Sequence, residues 1–415
     1  QSHCFYFVGR MHRPSNLNSG VTNVLYLTGY STHAHMNVAP TNTTPFLRMV
    51  NGNTQNNTGR EKMIAGSQMQ VLVTRSNGSS GSAISVGVNQ DILTIGGFAA
   101  AGSGLGGQIG AANGTGNLGG FDLYEVAVYT SGFSNTDING TVPGDPVNGG
   151  NVGKLMAYYN IAPITRSIAL EGDSRTCGYA NGPAAADYGN NSVIPSGDCL
   201  AVQLAMNSAD NDVRIVSVAA TGNNTLDITS QRDTLRSIMN STGGFVSGWQ
   251  NDVHYLIGTN DQVQAIGAST PAWTTAQSTT ARGDEIMDRV PGVIAYANTV
   301  AGAAGCLQRG LTCYVSTEIA CGATVSPMDA LDELRTRVLD PSFLVDCDAD
   351  AGGTYPGKVI VNDLGGWTVS GSTIFRTATE ALNTTYYNAD KLHLKTAGTY
   401  QYALSIRGAL GLTPA

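Results

Sequence analysis

A serine stands at the end of a short apolar run, Ile168-Ala169-Leu170-Glu171-Gly172-Asp173-Ser174. A strand that stops abruptly on Gly-Asp-Ser can present one hydroxyl at the C-terminal edge of a parallel sheet. A helix following it would turn its free N–H groups towards that hydroxyl. Such a place suits a nucleophile, because negative charge developing on a reacting carbonyl oxygen is stabilised there. Taken alone, the tripeptide fits a helix N-cap better, since Asp and Ser are preferred caps. Three further polar clusters stand beside predicted elements: Thr221-Gly222-Asn223-Asn224, Gly258-Thr259-Asn260-Asp261 and Asp390-Lys391-Leu392-His393.

The elements around those clusters alternate between strand and helix. Strands are predicted at Ile168–Leu170, Val213–Ala220, Val253–Gly258 and Leu311–Ile319, with a fifth at Lys358–Asn362. Helices are predicted at Leu226–Met239, within 278–304 (kinked or divided by Pro291), near Met328–Val338 and at Thr396–Leu410, with Thr396 as its cap. Alternation of this kind predicts an α/β domain with a parallel sheet over 162–415. Ligands of such sheets bind at the C-terminal strand ends, and the polar clusters at Ser174, Gly222 and Asn260 fall there.

Residues 1–161 have another character. Short strands are predicted at 4–10, Asn23–Thr28, Met69–Thr74, Ala83–Val88 and Asp91–Ile95, each bounded by Gly, Asn or Ser. Residues 96–119 are mostly Gly, Ala and Ser and read as a loop or a weak hairpin. A strand at 120–129 alternates cleanly except at Tyr124–Glu125, where a bulge is expected. No long amphipathic helix precedes Gly153, so an antiparallel β-sandwich is predicted. Phe121–Tyr129, Phe133-Ser134 and Lys154–Tyr159 together resemble the closing strand and short helix of laminin-G-like, concanavalin-type jelly rolls. That resemblance implies glycan binding, with a structural calcium in some members, and assigns no ligand residue here. A spacer or oligomerisation module, giving a homo-oligomer, is the other reading of this domain.

Over 167–411 the chain resembles the SGNH hydrolases of the GDSL esterase and lipase superfamily. Gly172-Asp173-Ser174 matches the first block, Gly222 the glycine of the second, Gly258 to Asp261 the third, and Asp390 with His393 the last. The resemblance implies a three-layer α/β fold and a Ser174–His393–Asp390 triad. A serine hydroxyl needs an adjacent base at neutral pH. His393 would take the Ser174 proton and pass it to the leaving alcohol, while Asp390 orients the ring and stabilises its cation. The Ser174 N–H, the Gly222 N–H and the Asn260 side-chain amide would form the oxyanion hole. Only His254 and His393 follow residue 166, and His254 lies inside an apolar strand, as a core histidine would. Asp173 is expected to fix the turn, and Arg175 either to reach substrate or to pair with an acid.

Composition narrows the class of partner. The 415 residues are 41% hydrophobic and 13% charged, as in folded chains. Residues 1–165 carry 7 basic and 6 acidic side chains, a net of +1, whereas 166–415 carry 15 and 24, a net of −9. The acidic second part disfavours nucleic acid and anionic membrane surfaces. No apolar run approaches a bilayer span, so no membrane insertion is expected. No leader pattern is visible at Gln1, so a processed start or a fragment is expected. Seven cysteines without a CxxC pair argue against zinc, and Cys177/Cys199 and Cys306/Cys313 are candidate disulfides.

The combined expectation is a metal-independent serine esterase removing acetyl or other acyl groups from a polysaccharide, outside the cell or on a virion surface. The alternative is a non-catalytic glycan-binding or structural protein, such as a virion tail fibre, that uses the hydrolase fold as a scaffold.

Overall fold

A computed structural model of the chain describes residues 3–11, 22–28, 34–40, 45–51, 69–76, 82–98, 106–109, 121–129, 133–178, 200–210, 212–217, 219, 222–224, 250–256, 258–260, 312–322, 328–350 and 359–414. The chain forms two compact units, Gln1–Ser167 with Ala209–Ile215, and Ile168–Ser208 with Val216–Ala415.

In the first unit the strands are β1 (His3–Met11), β2 (Thr22–Thr28), β3 (Ala34–Pro40), β4 (Pro45–Asn51), β5 (Gln70–Ser76), β6 (Ser82–Val88), β7 (Asp91–Phe98), β8 (Gly106–Ile109) and β9 (Phe121–Tyr129). They make two antiparallel sheets, ordered β7-β6-β5-β1-β9 and β4-β3-β2-β8. Cys4 to Val8 are all buried, so β1 reads as an uninterrupted apolar run. Successive side chains of a strand point to opposite faces. Cys4, Tyr6 and Val8 accordingly share a core with Val71, Val73, Ile138, Val152, Met156 and Ile161.

Two short helices, α1 (Asn135–Asn139) and α2 (Gly150–Tyr158), supply Ile138, Val152 and Met156 to that core. A capping box starts α1: Ser134 Oγ accepts the Asp137 N–H at 3.1 Å, and Asp137 Oδ2 accepts the Ser134 N–H at 2.7 Å. Strands β3 and β4 add to the elements expected from sequence, and β8 lies within the Gly-rich stretch read as a loop or weak hairpin. The β1–β9 register slips between Val8, opposite Glu125, and Gly9, opposite Leu123. Tyr124 is therefore the extra residue of a bulge, at the break in the alternation.

The α/β part is built on β10 (Arg166–Gly172), β11 (Val213–Ser217), β12 (Gln250–Leu256), β13 (Thr312–Ser316) and β14 (Val359–Asn362). The sheet order is β11-β10-β12-β13-β14, and β12, β13 and β14 run parallel. Ser167 to Gly172 are buried without exception. Parallel neighbours cannot be joined by a hairpin, so crossovers separate them. The described helices of this part are α3 (Ser174–Cys177), α4 (Leu200–Met206), α5 (Met328–Leu339), α6 (Pro341–Asp350) and α7 (Thr396–Ala409).

Helix α7 is anchored at β14 by Asn362 Nδ2, which donates to Ser405 Oγ at 3.0 Å. It is anchored beyond α4 by Arg407, which donates to the Asn207 carbonyl at 2.8 Å. Its cap position is held by Lys395, not Thr396, and no side-chain bond caps it. The helices predicted at Leu226–Met239 and within 278–304 lie outside the described residues, as do Cys199 and Cys306 of the two candidate disulfides. Among the described residues no helix is long and apolar enough to cross a membrane.

His254 is fully buried on β12, where its Nε2 lies 2.8 Å from Ser316 Oγ and its ring packs edge-on to Tyr402. Burial pushes its pKa down from 6.5 to about 3, which keeps the ring neutral.

Candidate active site

The site begins where β10 ends. Gly172 has φ +153°, and a Cβ there would run into the Leu256 carbonyl oxygen and stand 2.6 Å from Thr176 Oγ1. Only glycine lets the end of β10 pass this close to the end of β12. Asp173 follows in an extended conformation, and its Oδ1 accepts the Arg175 N–H at 2.8 Å. Its carbonyl accepts the N–H groups of Thr176 and Cys177 at 3.0 and 3.1 Å. Asp173 is thus the cap of α3, and Ser174 takes the first helical position. The cap and the nucleophile readings of Gly-Asp-Ser describe two neighbouring residues of one turn.

Ser174 Oγ lies 2.8 Å from His393 Nε2, although 219 residues separate them in sequence. His393 Nδ1 lies 2.6 Å from Asp390 Oδ2. A carboxylate can only accept, so Nδ1 carries the proton and Nε2 is left as acceptor for the serine hydroxyl. The turn that carries both residues is strongly determined. Asp390 Oδ1 accepts the N–H groups of Leu392 and His393, both at 3.0 Å. The Asn388 N–H donates to the His393 carbonyl at 2.8 Å, and the Lys391 carbonyl accepts the Gly322 N–H at 2.8 Å. Lys391 adopts φ +57°, a left-handed conformation that costs a non-glycine residue about 1–2 kcal/mol. Such strain persists only where surrounding bonds over-determine the backbone, as they do here.

Burial is the largest influence on His393 and pushes its pKa below the usual 6.5. The bond and charge of Asp390 push it up without reversing the shift, and the nearby Arg175 cation pushes it further down. Desolvation outweighs the upward pull of Asp390. For Asp390, burial would raise the pKa, but the His393 ring and the two backbone N–H groups together hold it below the usual carboxylate range. Asp390 stays ionised beside a neutral imidazole at neutral pH. If His393 acts as a base, activity rises as it loses its proton. A kcat/KM profile is then expected to climb with pH through a midpoint below about 6.5; a midpoint above that value would contradict the burial argument.

Gly222 and Asn260 lie on two further loops of the same unit. Gly222 is exposed with φ +82°, a conformation that suits glycine. Among the described residues beyond its chain neighbours no atom lies within 4 Å of the Cβ position there, so its conformation is what calls for glycine. Asn260 Nδ2 donates to the Asn223 carbonyl at 2.8 Å, which ties the two loops together and leaves the amide its second N–H.

At the centre of this region Arg175 meets a carboxylate, Glu318, that was not singled out from sequence. Arg175, 1% exposed, donates from Nη1 to Glu318 Oε2 at 3.1 Å and to the Ile319 carbonyl at 2.6 Å. Its Nη2 reaches the Ala320 carbonyl at 3.4 Å, and its Nε the Leu392 carbonyl at 3.3 Å. Of the two roles expected for Arg175, pairing with an acid is the one observed. Thr259 Oγ1 donates to the same Glu318 Oε2 at 2.7 Å. The available signal was a lone carboxylate in the otherwise uncharged run Val315-Ser316-Thr317-Glu318-Ile319-Ala320. A charge buried there requires a partner of opposite sign.

Among the described residues no group of three or more His, Cys, Asp and Glu side chains is arranged to hold a metal ion.

No protein-family model matches the chain, and no curated protein matches it in sequence. Among solved structures, the chain is similar to a GDSL-like lipase from Parabacteroides merdae, at 15% identity and a TM-score of 0.37, over 61% of this chain and 99% of that one. It is also similar to a carbohydrate acetylesterase from Sinorhizobium meliloti, at 14% identity and a TM-score of 0.35, over 59% of this chain and 98% of that one. An acetylxylan esterase from Geobacillus stearothermophilus gives 14% identity and a TM-score of 0.32, over 61% and 97%. Likeness this distant leaves the functional argument to the residues themselves.

Proposed function

We propose that the chain is a serine ester hydrolase of the SGNH kind, with a hydrolase domain over 162–415 and a β-sandwich of jelly-roll type over 1–161. The observation that carries the reading is the buried relay from Ser174 Oγ through His393 to Asp390, at 2.8 and 2.6 Å. His393 Nε2 takes the Ser174 proton as Oγ attacks the ester carbonyl. The tetrahedral oxyanion accepts hydrogen bonds from the Ser174 N–H, the Gly222 N–H and the Asn260 amide. His393 returns the proton to the leaving alcohol, and water then releases the acid from the acyl-serine by the same route. No metal enters any of these steps.

The substrate in this reading is an O-acetylated or otherwise acylated polysaccharide. The sandwich that precedes the hydrolase domain in the chain motivates it, serving to hold the polymer. Such a substrate puts the protein outside the cell or on a virion surface. The test is acetate release from purified acetylated polysaccharides, with and without chelator. Release is expected on at least one polymer and is expected to survive chelation. Retention of the polymer without release would favour the non-catalytic, tail-fibre-like reading. Loss of release on chelation, restored by a divalent metal, would overturn the serine mechanism.

A further inference from the structure

We infer that Thr259 and Glu318 are positioning residues, and that one buried carboxylate oxygen sets the Asn260 loop against the Ser174 loop. The inference rests on the hydrolase reading above. Glu318 Oε2 accepts from Arg175 Nη1 at 3.1 Å and from Thr259 Oγ1 at 2.7 Å. Each donor is the chain neighbour of a group placed in the reaction: Arg175 follows Ser174, and Thr259 precedes Asn260. Arg175 Nε also reaches the Leu392 carbonyl, one residue before His393. The planar peptide bond between neighbours transmits such a constraint with little slack. Fixing the Thr259 hydroxyl therefore fixes where the Asn260 backbone starts.

Burial makes the constraint stiff. The Arg175 and Glu318 side chains are 1% and 4% exposed, so water cannot replace either partner. A buried guanidinium that lost its carboxylate would carry an uncompensated charge, so the pair does not slip. Glu318 stands two residues beyond the end of β13, next in the sheet to β12, whose end leads to Thr259 and Asn260. An ion pair placed only for stability would have no need of Thr259. The threonine bond is short, buried, and directed at the oxygen that already holds Arg175.

The test compares Thr259→Val, Thr259→Ser and Glu318→Gln with wild type on a short-chain chromogenic ester. Rates are expressed per Ser174 titrated with a chromogenic phosphonate, so that misfolded protein does not count. Thr259→Val leaves the Arg175–Glu318 pair whole and removes only the link to Asn260. It is expected to lower kcat per titrated site about tenfold with KM changed less than about threefold, as for a displaced transition-state donor. Thr259→Ser, which restores the hydroxyl, is expected to recover most of that loss. Glu318→Gln is expected to fall at least as far as Thr259→Val. If Glu318→Gln fails to fold, the two threonine variants still decide the matter. A kcat per titrated site within threefold of wild type in Thr259→Val would overturn the inference while leaving the hydrolase reading in place. Failure of wild type itself to be titrated at Ser174 would remove both.

Discussion

Ser174→Ala is expected to fold as wild type does and to lose ester hydrolysis by a factor on the order of 10⁴ to 10⁶. Among the described residues the side chain makes one hydrogen bond, to His393 Nε2, so the substitution removes a hydroxyl and leaves the backbone bonds of the turn intact. The Ser174 carbonyl still accepts the Gly178 N–H at 2.9 Å, and Asp173 still caps the helix. A neutral buried hydrogen bond contributes about 0.5–1.5 kcal/mol, so the thermal midpoint should move by only a few degrees. Chemistry has no such reserve, because the attacking atom is gone. The measurement is hydrolysis of a chromogenic acetate ester by purified, folded variant and wild type. Wild-type turnover in Ser174→Ala would show that another group attacks.

His393→Ala should be about as damaging as Ser174→Ala, whereas Asp390→Asn should lose less, on the order of 10² to 10⁴. The geometry explains the difference. Asp390 performs two tasks with two oxygens: Oδ1 holds the Leu392 and His393 N–H groups, and Oδ2 faces the His393 ring. An asparagine can keep the first task with its remaining oxygen, so the turn survives. Its amide NH₂ then meets Nδ1 and favours the tautomer with the proton on Nε2, which cannot accept from Ser174. The base is impaired but still present.

The pH profile separates these effects. Asp390 is the influence that raises the His393 pKa, so its neutralisation should move the activity midpoint further below that of wild type. An upward move in Asp390→Asn would mean that the carboxylate is not ionised in the working enzyme. His393→Ala should show no histidine-like rise at all.

How much of this could be read in the chain follows from what each element depends on. Strands β1, β10 and β13 declare themselves because their burial is continuous and so is the apolar run. Strand β3 does not, because its alternation rests on Met36 and Val38 among Asn37, His35 and a terminal Pro40. Strand β8 offers two glycines in four residues; glycine has no side chain to pack, and only the backbone ladder to β2 makes it a strand. The polar clusters at Ser174 and Asp390–His393 were legible because short-range chemistry explains their spacing. The Arg175–Glu318 pair was not, since 143 residues separate two charges that meet only when the strand ends converge. The direction of the His393 shift is not legible in the sequence for a related reason. The sequence displays the neighbouring carboxylate but not the depth at which the ring is buried.

The bulge at Tyr124 has a meaning for how copies of this chain behave in a crowded solution. Among the described residues β9 closes one end of its sheet, and Leu123, Tyr124, Val128 and Tyr129 are exposed along it. A straight, apolar, nine-residue edge would be a template on which a strand of another molecule could extend the sheet. The extra residue interrupts the regular spacing of outward N–H and C=O groups near the middle of that edge. An incoming strand can match one side of the interruption or the other but not both in a single register. The edge is divided into two shorter lengths, so the tyrosines stay available to solvent on an edge that offers an incoming strand less continuous backbone pairing.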